Sequence, residues 1–191
     1  MSLFALFFYV LFGYFLAKIW KEATVYISAI LINFLVPVVI FFTIIKTQKD
    51  MIYVVTSCIF CISMYLLSRF FIKKEGYPSI LQVYFSYYNI GWMSIPIGIY
   101  LFGENSVPIT ISAYMGGIIF GSTVCLYSLN TISKDIKMSP LKKLFNAPPF
   151  IAFIIAFILK QFKGIITLNY IFLVFYNASK FMMGFLGISL L

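Results

Sequence analysis

Residues 86–103 read SYYNIGWMSIPIGIYLFG, the middle of an apolar stretch long enough to cross a membrane. Asn89, Gly91, Ser94, Pro96 and Gly98 all fall inside it. Proline lacks a backbone donor, and its ring clashes with the carbonyl four residues earlier, here that of Trp92. In hydrocarbon an orphaned carbonyl is so costly that broken backbone survives only where protein or a wet cavity satisfies it. Secondary transporters build substrate sites from such broken helices near the bilayer midplane. The stretch therefore predicts a helix interrupted inside the membrane, and a site at the interruption.

The rest of the chain has the same solvent. It is 63% hydrophobic and 10% charged, against roughly 45–50% and about 25% in soluble domains. Nearly every long segment is apolar, which leaves no room for a soluble domain. The net charge of +9 is spread in short clusters at the ends of apolar runs. A nucleic-acid binder would gather its bases on one face, so no nucleic-acid partner is expected. Membrane lipid is, because such clusters hold anionic headgroups.

Seven apolar runs approach the roughly 20 residues that a spanning helix needs. They cover about 3–17, 25–45, 51–72, 79–102, 107–129, 148–162 and 169–191. The first has no basic leader and no small-residue cleavage site, so it reads as a retained span. Lys18, Lys21, Arg69, Lys73, Lys74, Lys134, Lys137, Lys142 and Lys143 follow the odd-numbered spans. Only Lys46, Lys49, Lys160 and Lys163 follow the even-numbered ones. Nine against four places the first set in the cytoplasm and the N-terminus outside the cell membrane. A polar linker at 131–147 divides a five-span first repeat, residues 1–130, from two further spans at 148–191. An odd number of spans makes a second repeat inverted. The fold class expected is an all-α integral membrane protein of about seven helices, one five-helix repeat plus the start of an inverted second.

Within the fourth span, Asn89–Pro96 falls near the bilayer centre at 1.5 Å per residue. An outer half-helix there turns its partially positive N-terminus inward, toward an anion. Asn89 and Ser94 add hydrogen bonds, Gly91 allows close approach, and Pro96 keeps the helix open. Pro37 frees the carbonyl of Asn33 in the second span and reads as a kink. Gly117 and Gly121 form a G-x-x-x-G in the fifth, which reads as close helix packing. In the seventh span Lys180 lies near the midplane, on one face with Asn177, Gly184 and Gly187. It is either a counter-charge for an anion or a lysine that snorkels to the interface.

What is missing narrows the chemistry. The five acids lie at span ends or in loops, and the chain has no histidine. A buried acid–base pair for an enzyme or a proton relay is therefore not expected. No nucleotide-binding G-x-x-x-x-G-K-[ST] occurs. Cys58 and Cys61 form a C-x-x-C inside an apolar run and read as small apolar residues. No metal, cofactor or disulfide framework is expected.

These residues resemble the auxin efflux carrier family of organic-anion transporters. The likeness rests on Leu11-Phe12-Gly13-Tyr14, on LINFLVPVVIFF in the second span, and above all on Asn89-Ile90-Gly91 followed by Pro96 and Leu101-Phe102-Gly103. Asn146-Ala147-Pro148-Pro149, opening the sixth span, extends it. The resemblance implies ten spans in two inverted repeats, with broken spans four and nine crossing at the substrate site. It also implies carboxylate substrates, such as malate or malonate in bacteria or auxin in plants. This chain would lack spans eight to ten, and it departs from the family at Lys180. Three expectations follow: a permease for small organic anions using Asn89, Gly91, Ser94, Pro96 and Lys180; a truncated, non-transporting fragment of one; or a homodimer whose second copy replaces the missing crossover.

Overall fold

A computed structural model of the chain describes residues 8, 11–15, 18–20, 22–46, 50–75, 80–87, 91–132, 139–162 and 170–189. The described residues are almost entirely helical and include no strand. Three helical runs are long and apolar enough to cross a membrane: Thr24–Lys46, Met51–Ile72 and Ser106–Thr131. They coincide with the second, third and fifth expected spans. The fold is that of an all-α membrane protein, in which each long helix satisfies its backbone internally, as hydrocarbon demands. Most of the first expected span lies outside the described residues.

The second span is built from α1 (Ala23–Ile30), a π turn (Leu31–Leu35) and α2 (Val36–Lys46). The π turn explains how Pro37 is tolerated. Its ring opposes the carbonyl of Asn33, and Asn33 sits where the helix is widened by one residue. The third span is one helix, α3 (Asp50–Glu75). The fourth is two, α4 (Ile80–Ser86) and α5 (Gly91–Phe102). Gly103 ends α5 at φ 74°, a left-handed cap that favours glycine, with its N–H donating to the carbonyl of Ile99 at 3.0 Å. The fifth span joins α6 (Ser106–Phe120), a second π turn (Gly121–Cys125) and α7 (Leu126–Ile132).

Sequence reading made 131–147 a polar linker, but it holds a short helix, α8 (Pro140–Phe145). Proline opens α8 at its first turn, where no donor is lost. Then come α9 (Pro148–Gln161) and α10 (Tyr170–Ser189).

Spans three and five run in the same direction. Ser57 Oγ donates to the carbonyl of Ala113 at 2.8 Å and Cys58 Sγ to that of Gly116 at 3.3 Å. Further along, the Tyr65 hydroxyl and Ser128 Oγ lie 2.7 Å apart. Span four runs against both. Ser68 Oγ donates to the carbonyl of Gln82, and Gly98 faces Ser106 and Thr110. Bonds between hydroxyls and carbonyls of neighbouring helices hold a bundle together where lipid supplies no hydrophobic drive.

The main core gathers around α2, α6 and α9, with Val39, Ile40, Ile44, Ile111, Met115 and Ala156 fully buried. Helix α10 packs on α2 and α5. The outward faces of α3 and α9 remain apolar, as lipid-facing helices are: Phe60, Leu66, Phe70 and Ile155 are exposed.

Candidate functional site

The segment expected as the fourth span holds two helices, and neither of them ends at Pro96. Helix α5 runs unbroken from Gly91 through Pro96 to Phe102. The interruption lies upstream, after Ser86, where Tyr87 leaves the helix with its N–H still donating to the carbonyl of Val83 at 2.9 Å. Proline removes its own N–H, so the helix continues past it with the carbonyl of Trp92 left without that donor. Asn89 lies outside the described residues. Gly91 is the first residue of α5.

The interruption meets an irregularity in its neighbour. Gly121 opens the second π turn, and a Cβ placed on it would lie 2.5 Å from a ring carbon of Tyr87. Only glycine lets that ring lie against the helix. The G-x-x-x-G motif thus serves two surroundings: Gly121 receives Tyr87, while the space beside Gly117 is open. The close helix approach belongs to Gly116, whose added Cβ would lie 2.7 Å from the carbonyl of Val54. π turns widen a helix and recur at functional sites.

Between these elements lies a cavity of about 870 Å³, within the range of small-molecule sites. Its inner wall carries Tyr87, Tyr114, Gly121, Ser122 and Cys125. Its α8 side carries the exposed Lys142, Lys143 and Asn146, with Pro148 at the start of α9. The Asn146-Ala147-Pro148-Pro149 motif and the interrupted span therefore border one space. Sequence reading missed Lys142 and Lys143 as site residues, counting them only toward orientation.

Ser94 has a different setting. It lies one turn before Gly98 on α5, which runs against α6. The contact of Gly98 with Ser106 and Thr110 brings Ser94 to the level of Ser112. The hydroxyls of both serines are buried without a hydrogen-bond partner among the described residues, and Ser112 is 0% exposed. A buried hydroxyl left unpaired costs about 1–3 kcal/mol, so this level of the α5–α6 contact suits a water or a polar ligand atom.

Lys180 stands apart from the cavity. Its Nζ pairs with Glu104 Oε2 at 2.5 Å, in the turn joining α5 to α6, and lies 5.5 Å from the centre of the Tyr176 ring. Lys46 lies over the same ring at 4.4 Å. The lysine ammonium is thus satisfied by protein. Glu104 is 66% exposed, so the pair is worth about 0.2–1 kcal/mol. A double-mutant cycle with Lys180→Met and Glu104→Gln should return a coupling of that size in thermal melts. Strictly additive effects would deny the pairing. Asn177 is exposed, and the surroundings of Gly184 and Gly187 lie outside the described residues.

The chain matches no protein-family model, no curated protein and no solved structure. The reading of the site therefore rests on its own residues: the unpaired hydroxyls of Ser94 and Ser112, and a cavity lined on its α8 side by two lysines. Among the described residues no group of three or more His, Cys, Asp or Glu could hold a metal ion.

Proposed function

We propose that the chain is a secondary transporter of the auxin efflux carrier type, moving small organic anions across the cell membrane. The observation that carries this reading is the juxtaposition of the interrupted fourth span with the π turn of the fifth, at a cavity large enough for a carboxylate metabolite. Interrupted helices leave backbone groups available for a substrate and give a hinge on which access can alternate. Asn89, Gly91 and Pro96 remain the proposed binding segment, joined by Ser94, whose buried hydroxyl has no hydrogen-bond partner among the described residues. Lys180 takes a supporting role, holding α10 to the α5–α6 turn.

In this reading α8 is cytoplasmic, the N-terminus is outside, and the spans after α8 open an inverted second repeat. A second copy of the chain would supply the complementary crossover.

Proteoliposomes carrying the purified chain, preloaded with malate, should take up labelled malate or another member of a small carboxylate panel faster than protein-free liposomes. Flux equal to that of protein-free liposomes across the whole panel, from protein that melts cooperatively, would remove the transport reading.

A further inference from the structure

The α8 side of the cavity is built by a segment that plays no part in the interrupted span. Helix α8 buries Leu144 in the main core, while Leu141 and Phe145 are 62% and 60% exposed. It also packs on the second π turn. These contacts fix α8 across the cavity, so Lys142 and Lys143 are held at its rim beside Ser139 and Asn146.

Among the described residues the charge there is one-sided. No aspartate or glutamate among the described residues lines the cavity. Helix α9, which begins beside it, contributes no free donor. Pro148 and Pro149 have no N–H, and the N–H groups of Phe150 and Ile151 both donate to the carbonyl of Ala147, at 2.9 and 3.0 Å. The positive potential of the described rim is therefore that of two ammonium groups. Orientation in the membrane asks only that lysines lie somewhere in a cytoplasmic loop. It does not ask that they be carried on a docked helix at the rim of a cavity. A cleft with low-dielectric walls and one sign of charge concentrates ions of the other sign.

We propose that Lys142 and Lys143 form a charge-selective mouth that draws an anionic group, carboxylate or phosphate, to α8, with the rest of the ligand facing Tyr87, Tyr114 and Ser122. As a route for transported substrate, the mouth rests on the transport reading above. Its selectivity does not, and thiol labelling reads it without any flux.

Ser122→Cys is placed in the full chain with Cys58, Cys61 and Cys125 replaced by Ala, in phosphatidylcholine nanodiscs. Its reaction with anionic and cationic thiosulfonates is timed. Leu129→Cys, on the same cavity, serves if the first variant does not fold. The anionic-to-cationic rate ratio should fall about tenfold when Lys142 and Lys143 become Gln, the low end of electrostatic focusing, and should shrink as salt is raised. A ratio unchanged by the double substitution overturns the proposal. Two further arms separate the sources of the anion. Slowing of the reaction by added malate assigns the mouth to soluble anions, and slowing by phosphatidylglycerol in the disc alone assigns it to a lipid headgroup. A lysine-dependent ratio that neither malate nor phosphatidylglycerol competes with would overturn ligand capture.

Discussion

Gly116→Val is expected to lower the melting midpoint of the detergent-solubilised chain by about 5–10 °C, the shift that roughly 2–3 kcal/mol of overpacking produces in a chain of this size. At Gly116 the backbone of α6 lies against α3 so closely that an added Cβ would sit 2.7 Å from both the Val54 carbonyl and Ser57 Cβ. The first of these atoms is backbone and cannot swing aside, so the helices must separate. Separation also strains the bonds from Ser57 to the carbonyl of Ala113 and from Cys58 to that of Gly116. Each leaves a polar group in a region where neither water nor lipid replaces it. Gly117→Ala is the control. Its Cβ enters open space, and replacing a glycine inside a helix by alanine adds about 0.5–1 kcal/mol. The two neighbouring substitutions should therefore move the midpoint in opposite directions. Equal losses would mean that α3 and α6 do not meet in this register.

Gly121→Leu is expected to leave the chain folded and reduce carboxylate flux at least about tenfold, equivalent to some 1.4 kcal/mol of lost binding. Folding survives because the atoms in the way are those of the Tyr87 ring. That residue is 45% exposed and has room to turn. Flux does not survive, because the leucine and the displaced ring both enter the cavity. Retention of full flux would place the substrate path elsewhere.

Length and hydropathy made three spans legible to within a residue or two, because a helix in lipid must be both long and apolar. Breaks and contacts were less legible, each for a physical reason. Pro96 is the most visible helix breaker in the expected fourth span, yet α5 continues through it, and the described chain leaves the helix at Tyr87 instead. Pro37 signals an irregularity in its helix, but not that it takes the form of a π turn at Leu31–Leu35. The second π turn, Gly121–Cys125, contains no proline and gave no warning beyond a glycine. The G-x-x-x-G spacing pointed to Gly117, while the neighbouring Gly116 makes the contact. That choice depends on which face α6 turns to α3, and a glycine-rich run does not encode it. Helix α8 had a readable signature in Pro140 at its start and the Leu141–Phe145 spacing of one helical turn, hidden by the lysines between them. The pairing of Lys180 with Glu104 joins residues 76 positions apart, and nothing local announces it.

The central claim is that the interrupted fourth span is the site where an organic anion is handled. Labelled-malate exchange in proteoliposomes, comparing the unaltered chain with Asn89→Ala and Gly121→Leu at matched protein incorporation, tests it most directly. The account predicts flux from the unaltered chain and its collapse in both variants, with melting midpoints held within a few degrees. Undiminished flux in both variants would contradict it.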